Sequence, residues 1–242
     1  MNRNNLHNDY DLVKIKEKIK ELDNSDEYYI TPFLSLSYQY EIENMLKEMK
    51  GFLDIYYFNS GERKVALIGN TQKKENLKPI SLLEIVTSEQ LKHNDIMGAI
   101  LNIGLKREVI GNIYINNGYL VEVKNHVKEY VINNLNYISH YKVKVIESEK
   151  EIPVLDYVIK RVIVSSYRLD NVVSAIFNIS RELSKELIIN KEVQYNFNNE
   201  LKIDQRISLE SYLSCRRRGK VFIIGECGRT KKDNIILEVK YF

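Results

Sequence analysis

Between Ile80 and Ile146 the chain switches repeatedly between strand and helix periodicity, and this alternation restricts the available folds more than any other feature. Ile80–Val86 alternates like a half-buried strand. His93–Leu105 has helical spacing, with Asn94 or Asp95 placed as N-cap and Gly104 at its end. Ile110–Ile115 and Tyr119–Val123 read as strands around Asn116-Asn117-Gly118, a short hairpin signal. Lys124–Leu135 reads as a helix and Lys142–Ile146 as a strand. The order strand–helix–strand–strand–helix–strand predicts a ferredoxin-like (RRM-like) split βαβ sandwich. Many RNA-recognition folds share that layout, as do many that never meet RNA.

The flanks differ in pattern. Leu12, Ile15, Ile19 and Leu22 lie on one helical face, followed by a polar turn at Asp23–Asp26, a helix at 36–49, and strands Leu53–Phe58 and Val65–Ile68 around Asn59-Ser60-Gly61. Beyond Val158, the apolar positions Leu169, Val172, Val173, Ile176 and Phe177 predict one helix. Ser180 caps a second helix that turns Leu183, Leu187 and Ile188 inward. Glu192–Phe197, with a turn at Asn198-Asn199, then Ile207–Leu213, Val221–Ile224 and Ile235–Val239 read as strands. The fold class is α+β, in three parts: an N-terminal unit of mixed helix and strand (1–75), a central ferredoxin-like unit (76–158), and a C-terminal two-helix module with a small antiparallel sheet (159–242). With three prolines and no Gly/Ser-rich linker, these boundaries rest on pattern shifts alone.

Composition removes several classes. A chain that is 44% hydrophobic and 29% charged can bury a globular core. No apolar run approaches the ~20 residues that span a bilayer, and the polar, Asn-rich Met1–Tyr10 is no secretory signal. Cys215 and Cys227 form no CxxC, and no His pair has metal-ligand spacing. The expectation is a cytoplasmic monomer with free thiols, no cofactor and no structural metal, a disulfide across one hairpin being the alternative. The net charge of +3 hides a division: residues 160–242 hold 16 Lys and Arg against 10 Asp and Glu, whereas residues 1–159 hold 20 against 23. A basic module on a near-neutral carrier suits a phosphate-backbone partner, although a solvated basic face has the same composition.

Within the basic module, Arg168 opens the first helix, Arg181 opens the second beside its cap Ser180, and Lys185 lies one turn on. Helix N-termini offer free N–H groups to phosphate oxygens, and a guanidinium there adds a bidentate clamp. Asp170 is placed to orient Arg168 or cap the helix, and the Arg181 side chain is expected to leave the helix towards solvent. Arg216, Arg217, Arg218 and Lys220 fill one hairpin connection; Arg229, Lys231 and Lys232 fill the next, expected close by in the same sheet. Lys106-Arg107 either extends the basic surface or pairs with Glu108. Tyr167 and Tyr195 are candidates for base stacking or for packing. His93 and Asp95 read as helix-capping residues rather than an acid–base pair.

The stretch SSYRLDNVVSAIFNISRELSKELIINKEVQYNF resembles the RNA-binding module named after small-subunit ribosomal protein four. Arg168-Leu169-Asp170, Ser180-Arg181, Leu187-Ile188 and Asn196 match its pattern in order and spacing. Together with Ile207-Ser208, R-R-G-K at 217–220, G-R-T-K-K at 228–232, HNDIMGAILNIGLKREVIGNIYI at 93–115 and SGERK at 60–64, the chain is similar to the YlmH-type, ribosome-associated RNA-binding proteins of bacteria. It departs from them at Lys191, where Gly is usual, at Gly111-Asn112, where Gly-Asp is usual, and in the loop at 210–216. The resemblance implies a non-catalytic binder of ribosomal RNA or tRNA, on the large ribosomal subunit, in translation or the rescue of stalled chains. It implies RNA contacts at Arg168, Ser180, Arg181, Lys185, Lys191, Asn196, Arg216, Arg217, Arg218, Lys220, Arg229, Lys231 and Lys232, with Lys106 and Arg107 as further candidates. The same module also occurs in pseudouridine synthases and RNA methyltransferases. Here, however, Arg168-Leu169-Asp170 lies inside the binding module, and no Gly-rich cofactor loop follows a strand. An RNA-modifying enzyme and a protein-interaction adaptor remain the alternative classes.

Overall fold

The computed structural model describes residues 3–22, 27–49, 53–115, 118–151 and 157–242, with side chains from residue 12 onward. The expected turns at Asp23–Asp26 and Asn116-Asn117 lie outside the described residues. The chain divides into two compact units, Met1–Leu155 and Asp156–Phe242. Segments expected as separate units at 1–75 and 76–158 are thus drawn into one body.

The first unit opens with helix α1 (Arg3–Lys20) and strand β1 (Tyr28–Ile30), the latter without a sequence signal. Helix α2 (Leu36–Glu48) starts at the N-cap Ser35, whose hydroxyl accepts the Tyr38 N–H, and buries Leu36, Ile42 and Leu46. Strands β2 (Asp54–Tyr57) and β3 (Ala66–Gly69) complete an antiparallel sheet ordered β1-β3-β2. Ile15 and Ile19 of α1 pack with Leu34, Ile42, Leu46 and Ile68 in its core.

The chain continues through β4 (Ile80–Val86), α3 (His93–Asn102), β5 (Ile110–Tyr114), β6 (Tyr119–Lys124), α4 (Lys128–Asn134), a small β7–β8 hairpin (Tyr137–Ile138 and Tyr141–Lys142) and β9 (Lys144–Glu147). Helix α3 is capped at Lys92 rather than at Asn94 or Asp95; Asp95 serves the cap by accepting the Lys92 N–H at 3.3 Å. The four-stranded sheet runs β5-β6-β4-β9 with every pair antiparallel. Leu83, Ile85, Val121 and Val123 on one face pack with Ile96, Ile100 and Val131 of the helices.

The second unit is a five-stranded antiparallel sheet ordered β10-β14-β13-β12-β11. Its elements are β10 (Val158–Val164), α5 (Leu169–Phe177), α6 (Arg181–Ile189), β11 (Val193–Tyr195), β12 (Ser211–Cys215), β13 (Gly219–Arg229) and β14 (Ile235–Tyr241). Leu169, Val172, Val173, Ile176, Leu187 and Ile188 bury the helical stripe against Leu213, Val221, Ile223, Leu237 and Val239. After β11 the chain turns at Asn196-Phe197, not Asn198-Asn199: both residues have positive φ (47° and 65°), and Tyr195 and Asn198 exchange backbone hydrogen bonds across them.

Candidate nucleic-acid interface

Asp170 is the fixed point of the C-terminal unit. It is fully buried, and its carboxylate accepts Arg168 Nε at 3.1 Å, an Arg168 terminal nitrogen at 3.4 Å, Arg181 Nε at 3.1 Å and the Asn171 N–H at 3.0 Å. The crossing of α6 over α5 is pinned by Ser184 Oγ, which donates to the Asp170 carbonyl at 2.7 Å. Burial alone would raise the Asp170 carboxyl, but the hydrogen bonds and charges of Arg168 and Arg181 outweigh it and hold it below the ordinary aspartate value. Arg168 places two nitrogens on Asp170 and Arg181 one, yet the two arginine side chains keep 43% and 46% exposure. Arg181 therefore folds back onto the protein instead of leaving its helix as the sequence suggests. Ser180 accepts the Leu183 N–H at 3.1 Å and sets the first turn of α6; Lys185, half-buried, lies one turn further. A group of guanidinium donors around one carboxylate, net positive and beside two helix N-termini, is suited to phosphate oxygens.

The two basic hairpins do not extend this array together. Arg216–Arg218 connect β12 to β13, whereas Lys231 and Lys232 connect β13 to β14, at opposite ends of an eleven-residue strand. At ~3.3 Å per residue that is a separation of about 30 Å. The expectation that they lie close is corrected, because successive hairpins in a meander always turn at alternate ends. Arg168 shares its end with Lys231, Lys232 and Arg229: Tyr167 donates to Glu226, which pairs with Arg229 at 3.1 Å, and Arg229 also reaches Asp233 at 3.1 Å. Arg216, Arg217 and Lys191 instead line a groove at the far end, with Gln194 and Ser214, and Lys220 follows on β13.

Several expected contact residues have local duties. Lys191 sits at φ 57° just past α6, where its N–H bonds to the Ile188 carbonyl and its ammonium pairs with Glu200. That left-handed conformation is the physical reason for a glycine preference at this position. Asn196 is stitched to β12, donating its N–H to the Tyr212 carbonyl and accepting the Tyr212 N–H at its Oδ1, each at 2.9 Å. Tyr195 shares its hydroxyl with Ser208 at 2.7 Å, and the Tyr167 ring carries the Arg206 guanidinium at 5.8 Å. Both cysteines are free, Cys215 buried and Cys227 exposed.

In the first unit, the sheet face opposite α3 and α4 is partly covered. Glu122 is fully buried there and accepts Asn59 Nδ2 at 2.7 Å, Asn112 Nδ2 at 2.6 Å, the Asn112 N–H at 3.3 Å and the Tyr114 hydroxyl at 3.0 Å. Burial raises its carboxyl pKa in spite of these four donors. Arg63, from the SGERK stretch, donates to the carbonyls of Phe33 (2.7 Å), Ile110 (3.3 Å) and Arg107 (3.3 Å); burial and the neighbouring Arg107 lower its pKa to about 10. Gly61 and Gly111 permit the approach: a Cβ on Gly61 would lie 2.0 Å from the Asn112 side chain, and one on Gly111 2.4 Å from the Phe33 ring. Arg107 turns its guanidinium onto the Ile110 and Gly111 carbonyls, while Lys106 is exposed.

Residues 75–151 match the family model described as the putative RNA-binding domain in YlmH. The chain is also 30% identical over 145 residues to the ribosome-associated protein quality control protein P2 of Bacillus subtilis (strain 168), covering 58% of this chain and 56% of that protein. It thus spans little more than half of this curated relative's length. Among solved structures, it is similar to the cell division protein ylmH from Streptococcus pneumoniae, with 22% identity and a TM-score of 0.48 over 59% of this chain and 91% of the other. Among the described residues, no helix is long and apolar enough to cross a membrane.

In the C-terminal unit, two groups stand beyond the residues expected from the sequence. Arg206 forms an isolated bridge with Arg168 and joins the arginine end of the C-terminal sheet. On the sheet face away from α5 and α6, the Tyr212 ring lies 5.1 Å from Phe197 and 4.8 Å from Phe222, and Lys240 sits 3.3 Å from the Tyr157 ring centre. The period-2 alternation of Tyr212 and Phe222 with buried Leu213 and Val221 was the available signal for that second face.

Proposed function

We propose that this chain is a YlmH-type RNA-binding protein that works on the ribosome without chemistry of its own. Its C-terminal unit is a module of the ribosomal-protein-S-four type and its central segment a ferredoxin-like domain. The observation that carries the reading is the Arg168–Asp170–Arg181 group. It places the matched Arg-Leu-Asp and Ser-Arg motifs at one exposed, net-positive point, with the carboxylate buried and both guanidiniums presented. The YlmH model match at 75–151 and the ribosome-associated quality control relative support RNA and the ribosome as partners. The reading includes ribosomal RNA or tRNA as ligand, the large subunit as the place of action, a cytoplasmic monomer, and the rescue of stalled chains as the process. Lys185, Lys231 and Lys232 extend the contact near Arg168, and the Arg216–Arg218 hairpin forms a second, separate contact.

The test is RNA affinity of the full chain measured against salt concentration. Replacing both Arg168 and Arg181 by Met is expected to lower the log–log salt slope by about 1 to 2, since each lost phosphate contact removes roughly 0.7–0.9. Circular dichroism must show the variant folded. A folded variant with unchanged slope and affinity overturns the reading.

A further inference from the structure

In the first unit a cavity of about 400 Å³ opens among α1, the residues after β1, the turn before β5 and the end of β6. Its lining carries four basic groups from three separate segments: Lys14, Lys106, Lys124 and His126. Lys124 stands apart from the other three, being only 8% exposed. Its ammonium donates to the Thr31 carbonyl at 2.9 Å, and among the described residues no carboxylate pairs with it. An ammonium has three N–H donors, so that bond leaves two for a further acceptor. Burial lowers its pKa to about 8.

The one carboxylate in the lining, Glu108, lies beside Tyr29, whose phenol pKa is raised by burial and then by Glu108. Three lysines against one glutamate leave the cavity positive. The rest of the lining is largely apolar (Ile15, Ile30, Pro32, Val109), and the volume falls in the range of small-molecule sites.

We infer that this cavity is an anion site that takes the phosphate of a nucleotide unit. Lys124 contacts the phosphate oxygens from the floor, Lys14 and Lys106 bind from the mouth, and the apolar wall receives the sugar or base. A nucleotide within an RNA strand and a free nucleotide offer the same chemistry. The site belongs to the first unit and the Arg168–Asp170–Arg181 group to the second, and neither depends on the other being right.

The experiment uses the full chain, isotopically labelled, with amide resonances of Thr31, Val109 and Lys124 followed by NMR. The probes are inorganic phosphate, a nucleoside 5′-monophosphate, and a short RNA oligonucleotide lacking terminal phosphates. Saturable shifts at these amides are expected, with affinity reduced about tenfold or more in Lys124→Met, since a charge-assisted hydrogen bond is lost. Because Lys124 is buried, the exposed pair Lys14→Ala and Lys106→Ala is the second variant; it too should weaken binding while keeping the wild-type fold. Binding of the oligonucleotide supports the site with RNA as the source. Binding of the monophosphate or phosphate alone supports it with a free or terminal phosphate as the source. No saturable shift with any probe, or unchanged affinity in both variants, overturns the inference. In Arg168→Met/Arg181→Met the shifts should persist, which separates this result from the fate of the C-terminal reading.

Discussion

Replacing Asp170 by Asn tests the centre of the C-terminal unit with little change in volume. The amide keeps one oxygen for Arg168, Arg181 or the Asn171 N–H, but its NH2 group then faces guanidinium donors where the second oxygen stood. A hydrogen bond to a charged group contributes about 1.5–3 kcal/mol. Both guanidiniums are nearly half exposed and can turn to water, which reduces the loss. We therefore expect Asp170→Asn to cost about 2 kcal/mol, or roughly 10 °C in melting temperature for a unit of this size. Since the chain has two units, the readout is hydrogen exchange at α5 and α6 amides, which isolates this one. The effect should depend on pH in one direction. Arg168 and Arg181 hold the carboxyl below its ordinary value, so its stabilisation is complete above about pH 4 and is lost as pH falls through the folded value. A variant as stable as wild type at pH 7, or a gap unchanged at pH 3, would refute the account.

Gly111→Ala should destabilise the first unit by about 1–3 kcal/mol in denaturant titration, because the new methyl meets the Phe33 ring at 2.4 Å and Glu122 Cβ at 2.8 Å. Gly98→Ala, inside α3 with nothing within 4 Å, should instead stabilise by up to about 1 kcal/mol. Lys191→Gly should raise stability by about 0.5–1 kcal/mol through relief of its positive φ, with only an exposed ion pair lost; a lower melting temperature would contradict this. Glu122→Gln should be tolerated at pH 7: one oxygen can still accept from Asn59 and Asn112, and the Tyr114 hydroxyl can rotate to accept from the new NH2. Because burial raises the Glu122 pKa, wild-type stability should fall as pH rises through the interval between the unfolded and folded values; Glu122→Gln should flatten that slope, the opposite trend to Asp170. A thiol reagent should label Cys227 quickly and Cys215 only on unfolding, since Cys215 is buried and burial raises its pKa; equal rates would count against the packing of β12.

Elements with a regular apolar period announced themselves in the sequence. Ile80–Val86 emerged with the expected bounds, and α5 and α6 with the expected buried stripes. Strand β10 did not, because Val158–Ile163 is solvated on both sides along most of its length, and an edge strand of that kind has no period of two. The turn at Asn196-Phe197 was displaced to the Asn pair that follows because turn preferences give Phe no reason to adopt a positive φ. The Arg168–Asp170 pair could be read two residues apart, but the Arg181 bond depends on how α6 crosses α5 and has no local trace. Likewise, Gly61 and Arg63 are ordinary turn residues and Gly111 an ordinary strand residue until Asn112 and Phe33 meet the first two, and Phe33 and Glu122 the third, from other segments.

The packing of the first unit also constrains how a ligand could meet residues 75–151. RNA readers of the strand–helix–strand–strand–helix–strand class commonly stack bases on the sheet face opposite the helices. In this chain Glu122 lies on that face, fully buried, and Asn59 closes over it at 2.7 Å. A base entering over β5 and β6 would have to strip those hydrogen bonds from a carboxylate and bring phosphates towards its charge. Both steps oppose binding, and the Arg63 guanidinium, committed to three carbonyls, does not offset them. Positive charge is instead found where β6 ends, at Lys124 and its neighbour Lys106. A nucleic acid that contacts this unit is therefore directed by its electrostatics to the rim and away from the covered part of the sheet.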